Sequence, residues 1–176
     1  MQGKYAKEIL LVGILLVLIC AVAFFYFGVG QEDGATIESR EALLEEALAK
    51  GSGWKIATEI TLDDYIVSGA YSADDQLSLA VFEPLANGKY KFTTSTNRNS
   101  GEIVIGGATI NGTWYDLIWF NGAQTAYAEI TYTVNGQSQD PIRYDTKDMG
   151  IIYHPAPAAD YLLHVCYVDH EGNRYE

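Results

Sequence analysis

LSLAVFEPLANGKYKFTTS, Leu77–Ser95, is the stretch whose reading decides the fold. Two runs rich in β-branched and aromatic residues flank Asn87-Gly88. Asn-Gly supplies the two positive-φ residues that a type I′ hairpin turn requires, so the stretch predicts two antiparallel strands. Tyr90 and Phe92 fall on one face of the second strand, and Lys89, Lys91 and Thr93 on the other. The pattern recurs downstream. Asn111-Gly112 lies between EIVIGGATI and TWYDLIWF, and Asn135-Gly136 between AYAEITYTV and QSQDPIRY. The three Asn-Gly pairs stand 24 residues apart, room for two strands and their connections. Residues 54–176 therefore predict an antiparallel β domain of about seven to nine strands, a meander folded into a sandwich. Pro141 assigns its strand to an edge or a start, because proline cannot donate to a ladder.

Working outward to the N-terminus, Thr36–Lys50, TIESREALLEEALAK, predicts one short helix packed on this domain. Thr36 is a suitable N-cap, acidic residues fill the first turns, and Lys50-Gly51 marks a stop. Ile37, Leu44 and Leu48 form its expected apolar face, flanked by Leu43 and Ala47. Residues 30–35 read as a Gly-rich, acidic hinge. Before them comes Ile9–Val29, ILLVGILLVLICAVAFFYFGV, 21 residues without a charge. As a helix it reaches about 31 Å, the thickness of a bilayer's hydrocarbon core. Lys4 and Lys7 precede it and Glu32 and Asp33 follow it. The positive-inside rule then places residues 1–8 in the cytoplasm and the domain outside a cell membrane crossed once.

Three other uses of this segment stay open. Ala21-Val22-Ala23 fits a signal-peptide cleavage pattern, but FFYFGV would then become an exposed apolar N-terminus. Cys20 could carry a lipid, though Val17-Leu18-Ile19 before it are not the small residues that such a site uses. Gly3 followed five residues later by Glu8 resembles a type IV prepilin processing site, which implies a pilin-like α+β fold as the alternative architecture.

Toward the C-terminus, Asp145–Asp160 reads as irregular, with His154-Pro155-Ala156-Pro157 stiff and extended. YLLHVCYVD, Tyr161–Asp169, is apolar on both faces and predicts a central strand; Glu171-Gly172-Asn173 turns the chain.

Beyond position 30 there are 22 acidic and nine basic residues, a net charge of −13. Such a surface repels phosphate backbones, which argues against a nucleic-acid partner. Only Cys166 lies outside the apolar segment, so the exported part has no internal disulfide to form. Asn111-Gly112-Thr113 also spells a glycosylation sequon, but the hairpin turn accounts for its Asn-Gly.

The hairpin AVFEPLANGKY and the closing YVDHEGN, together with the N-terminal apolar segment, resemble small single-pass exported β-domain proteins of Gram-positive bacteria. That group has no assigned activity. The resemblance implies an anchored exported β domain and no chemistry.

The chain carries no GxSxG elbow, P-loop, HExxH, CxxC pair or EF-hand spacing. No catalytic residue and no cofactor is expected. His164 and Cys166 share a strand face, and with His154 or His170 they are the candidates for a soft metal site or a thiol nucleophile. Leu162 and Val168 share that face, which favours burial as packing. Asp63-Asp64, Asp74-Asp75, Asp145 and Asp148 could offer oxygens to calcium or simply make turns. The strand TWYDLIWF gives the ligand-platform candidates Trp114, Tyr115, Trp119 and Phe120. One of its faces must be core, and the other could present aromatic rings to a carbohydrate or a protein. The expected function is a non-enzymatic binding or interaction module on the outer face of the membrane, with a pilin-like or secretion-system subunit as the alternative.

Overall fold

The computed structural model describes residues 33–48, 50–99, 101, 103–120, 122, 125–145 and 150–175. The expected span Ile9–Val29, with Cys20, and also Asp148 lie outside these residues. Among the described residues no helix is long and apolar enough to cross a membrane. The domain is mainly β, antiparallel throughout, with one short helix.

Helix α1 covers Ile37–Ala47, three residues shorter at its end than Lys50 suggests. Thr36 caps it by accepting from the Ser39 backbone N–H at 3.2 Å, and the Ser39 hydroxyl returns the contact to the Thr36 N–H. Such reciprocal capping satisfies two N–H groups that have no helical partner. Leu44 is buried as expected, but Ile37 is exposed and Arg40 takes the inward place. Arg40 is held there by charge: it meets Glu59 through two hydrogen bonds of 2.8 and 2.6 Å and donates to the Gly34 carbonyl at 2.6 Å. Sequence periodicity ranks an arginine as surface. A bidentate carboxylate partner overrides that ranking. Residues 33–35, the end of the expected hinge, lie against the sheet: the Tyr90 N–H donates to the Asp33 carbonyl at 2.7 Å.

Strands β1 (Lys55–Leu62), β2 (Tyr65–Tyr71), β3 (Leu77–Pro84) and β4 (Tyr90–Arg98) form a four-stranded meander in chain order. Strands β5 (Ile103–Ile110) and β6 (Thr113–Phe120) pair as a hairpin, and β10 (Ile151–Pro155) adds on the other side of β6. The third sheet is built on β7 (Thr125–Val134). On one edge β7 pairs with β11 (Tyr161–Asp169); on the other it meets β8 (Gln137–Ser138) and β9 (Ile142–Asp145). The two-residue strand β12 (Arg174–Tyr175) pairs with the end of β11. Nine of these twelve strands have five residues or more.

Three features depart from the sequence reading. The chain is not one meander, since β10 and β11 return to β6 and β7. Asp145–Asp160 is not wholly irregular, because Ile151–Pro155 is a strand. Strand β11 is flanked on both sides only at Tyr167 and Val168, so it is less central than its apolar run suggests.

Alternation along the strands decides which layer each residue enters. Leu62, Val67, Leu77, Leu79, Val81, Val104, Ala108, Ile110, Leu117, Trp119 and Ile151 form one core between the first and second sheets. Ile103, Ile118, Phe120, Ala128, Ile130, Tyr132 and Val165 form another between the second and third. Leu44 of α1 closes a third core with Trp54, Ala70, Ala80 and Phe82 on the outer face of the first sheet. The domain is thus helix, sheet, sheet, sheet, with the β5–β6–β10 sheet covered on both faces.

The turns follow the residues. Asn111 (φ 48°) with Gly112 (φ 81°), and Asn135 (φ 52°) with Gly136 (φ 75°), are two-residue connections with positive φ at both positions. Asn87 (φ 64°) and Gly88 (φ 72°) also have positive φ, but their connection is a three-residue loop, Ala86–Gly88, closed by Leu85 and Lys89. Asp63 (φ 47°) and Asp64 (φ 69°) make a fourth hairpin of the Asn-Gly kind between Leu62 and Tyr65. Asp, like Asn, tolerates the left-handed region better than most residues. Pro141 immediately precedes β9, at the start of an edge strand.

Candidate functional site

Strand β6 faces two layers, and its four platform candidates divide accordingly. Trp119 and Phe120 are 1% and 3% exposed and belong to the two inter-sheet cores, so they cannot receive a ligand. Trp114 is 47% exposed, and Tyr115 is half-buried. The Trp114 indole lies across β5 at Gly107, where a Cβ would come within 2.4 Å of its ring. Only glycine leaves room for the indole there. Its Nε1 donates to Asp116 at 3.4 Å. Tyr115 meets Tyr153 of β10 edge-on at 6.2 Å and reaches the Asp63 carboxylate at 3.5 Å. Tyr153 is itself exposed.

The soft-metal candidates do not converge. Cys166 is 2% exposed, whereas His164 and Leu162, two and four residues earlier on the same face, are exposed. Their face points away from the inter-sheet core. Over Cys166 lies Arg174, which also donates to Glu129 at 2.8 Å. His154 belongs to β10 and contacts tyrosines of the third sheet. Among the described residues no three His, Cys, Asp or Glu side chains gather into a metal-holding group. The aspartate pairs are turn residues: Asp63 and Asp64 form a hairpin, and Asp75 (φ 58°) closes the β2–β3 connection. The closing YVDHEGN is a capped turn, with Asp169 accepting from the Glu171 and Asn173 N–H groups, both at 2.9 Å.

What the sequence reading missed is the surroundings of Asp116. This carboxylate is 6% exposed, inside the layer between the second and third sheets. It accepts from the Tyr161 hydroxyl at 2.7 Å and the Tyr132 hydroxyl at 3.1 Å. His154 stands directly opposite Asp116 in the β6–β10 ladder. The His154 ring packs edge-on between Tyr132, at 6.2 Å, and Tyr144, at 5.5 Å, and its Nε2 is hydrogen-bonded to the Tyr144 hydroxyl. Tyr132 and Tyr161 meet edge-on at 5.6 Å. Asp116 and His154 thus come from one sheet, and Tyr132, Tyr144 and Tyr161 from strands β7, β9 and β11 of the next. Burial pushes the Tyr161 hydroxyl up to about 12, with the Asp116 charge adding to it. The Tyr132 hydroxyl is raised further for the same reasons. Burial lowers His154 below its ordinary value, partly offset by Asp116. At neutral pH the group therefore holds neutral phenols and a neutral imidazole around one carboxylate. A signal was available: Asp116 is the one acid within TWYDLIWF, on the face shared by Trp114, Ile118 and Phe120.

The fold and this site define a layered antiparallel β domain with a buried, tyrosine-rich cluster of hydrogen bonds around one carboxylate between two sheets and an exposed indole at its rim. No protein-family model, no curated protein and no solved structure matches the chain.

Proposed function

We propose that this protein is a non-enzymatic binding module carried on the outer face of a cell membrane by Ile9–Val29, with a carbohydrate or protein as partner. The observation that supports it is Trp114. This indole is 47% exposed, seated on Gly107 and tethered through Nε1, so a large apolar face is held out to solvent in a fixed orientation. Tyr153, 45% exposed and braced by Tyr115, is a second exposed ring, on the opposite face of the β5–β6–β10 sheet. Rigid aromatic faces bury much area on contact at little entropic cost, and they suit sugar rings and protein hot spots alike. The net charge of −13 beyond position 30 disfavours polyanions as the ligand.

Two measurements test the reading. Protease added to intact protoplasts should digest the β domain and leave the N-terminus protected; a domain that resists until the membrane is permeabilised overturns the topology. The detergent-solubilised full chain should then be screened against a panel of neutral polysaccharides and against cell-surface protein extracts. The other two tryptophans, Trp54 and Trp119, are buried, so a ligand on the rim changes the emission of Trp114 selectively. Binding should fall at least tenfold in Trp114→Ala. Binding unaffected by that substitution overturns the rim as the contact surface.

A further inference from the structure

We propose that Asp116, Tyr132, Tyr161 and His154 form a binding site for a hard trivalent metal ion, of which ferric iron is the accessible representative. This goes beyond the binding reading above and does not rest on it.

The carboxylate and the two phenols are already gathered, with His154 on the neighbouring strand. Adjacent ligands of an octahedral ion with bonds of about 2.0 Å stand about 2.8 Å apart. The Tyr161 and Tyr132 hydroxyl oxygens stand 2.7 and 3.1 Å from the two carboxylate oxygens of Asp116, spacings suited to neighbouring vertices. His154 faces Asp116 across the ladder, where directly opposed side chains start about 5 Å apart. The Tyr144 hydroxyl engages His154 at Nε2, which assigns Nδ1 as the ligating nitrogen and fixes the ring from outside the shell, as is usual for metal-bound histidine. Trp114 Nε1 does the same for the carboxylate, at 3.4 Å.

The donor chemistry selects the ion. Calcium and magnesium take carboxylates and carbonyls but have little use for phenols or imidazole. Zinc and copper(I) favour thiolate and imidazole, and the one thiol among the described residues, Cys166, is on the far face of the third sheet. One carboxylate, two phenols and one imidazole form a hard oxygen set with a single nitrogen, which fits a small ion of high charge. Electrostatics agree. Asp116 is a carboxylate 6% exposed, and the lysine and arginine ion pairs among the described residues go to other acids. Among the described residues the hydrogen-bond donors to this carboxylate are all neutral, and a buried charge so compensated attracts a cation. The acidic surface concentrates cations around the domain.

The binding step balances without a redox partner. The ion enters already ferric. Two phenol O–H bonds break and two protons leave to solvent; iron forms bonds to the two phenolates, the Asp116 carboxylate and the His154 nitrogen, and the water or chelator ligands whose bonds to iron break in exchange are released. The cost of ionising two buried phenols is met only by an ion of high charge, which is why divalent ions should not replace it.

The test uses the full chain in detergent, stripped with a chelator and titrated with ferric nitrilotriacetate. The expected result is one iron per chain, a visible phenolate-to-iron charge-transfer band, and acid release on binding. Tyr161→Phe and Tyr132→Phe should each weaken the band and lower affinity at least tenfold. Tyr127→Phe, on the outer face of β7, should change neither. Tyr132 is 4% exposed, so that variant could unfold; Tyr161→Phe, at a half-buried position, carries the test alone, with circular dichroism confirming the fold. Absence of a stoichiometric band, or a band unchanged in Tyr161→Phe, overturns the proposal. Equal occupancy by zinc overturns the choice of ion.

Discussion

Strand β6 sends Tyr115, Leu117 and Trp119 toward the β2–β3 side, and Trp114, Asp116, Ile118 and Phe120 toward β7 and β11. The first layer is aliphatic side chains and one fully buried large ring, with Tyr65 and Tyr115 packed at its margin. Trp119 lies flat against β2 at Gly69, where a Cβ would stand 2.4 Å from the indole. The second layer has the same hydrophobic floor, but at one end it holds a carboxylate, three phenols and an imidazole. One eight-residue strand thus serves a layer built for packing and a layer that spends part of its packing on polar groups. Burying a polar group costs about 1–3 kcal/mol unless it is hydrogen-bonded, and here each described polar member of the cluster has a partner. The difference gives the first layer a purely apolar interior and the second a polar cluster that some of its packing gives way to.

The largest effect should come from breaking the packing layer. Trp119→Ala should lower stability by about 4 kcal/mol, the usual range for a buried aromatic truncation. Gly69→Ala should cost about 2 kcal/mol or more, because the new methyl has no room beside the ring. The two should be strongly non-additive: with the indole gone, Gly69→Ala becomes nearly harmless. Denaturant titration of the full chain in detergent checks all three. Additive losses would show that Trp119 and Gly69 do not share one constraint.

Asp116→Ala probes the polar layer and should cost about 2 kcal/mol, leaving the Tyr132 and Tyr161 hydroxyls without their acceptor. Tyr161→Phe removes one hydrogen bond at a half-buried position and should cost about 1 kcal/mol. If Asp116→Ala proved as damaging as Trp119→Ala, the polar group would be the principal staple between the sheets and the contrast would fail. Both are read by the same titration.

These layers differ in how far the sequence discloses them. The packing layer is legible residue by residue, because alternation in LSLAVFEPL and TWYDLIWF assigns every side chain to a face. The turns are legible too: all three Asn-Gly pairs have positive φ. Asp63-Asp64 escapes because Asp-Asp is a weaker turn signal than Asn-Gly, although it makes the same hairpin. Strand β10 escapes because Pro155 and Pro157 mask a five-residue edge strand. The polar layer is nearly silent. Its members come from strands β6, β7, β9, β10 and β11, and nothing local in the sequence says that Tyr132, Tyr144 and Tyr161 meet Asp116. Likewise Arg40 and Glu59, 19 residues apart, pair only because α1 packs on β1. Burial of a charge is a property of its partner, and partners distant in the chain leave no periodicity.

The smallest effect lies outside both layers and calibrates them. Asp169 accepts from the Glu171 N–H, the Asn173 N–H and side-chain amide, and the Tyr175 hydroxyl. These bonds, that from the Asn173 side chain foremost, hold its carboxyl down to about 2. A folded-state value below the unfolded one stabilises at pH above the unfolded value, and that contribution is lost as the pH falls through the folded value. The turn should therefore loosen between about pH 4 and pH 2. Because Asp169 is at the surface, water and salt screen the contribution and the global stability should hardly move. The local change is measurable. Tyr175 stacks on Tyr167 at 4.9 Å, so the Tyr175 resonances should shift over this window as the stack opens. Asp169→Ala should remove the transition and leave the stack loose at neutral pH, while the Asp116 and Trp119 variants should leave it in place. A Tyr175 shift centred near pH 4, or one that follows substitutions at Asp116, would tie the C-terminal turn to the inter-sheet layers instead of to its own hydrogen bonds.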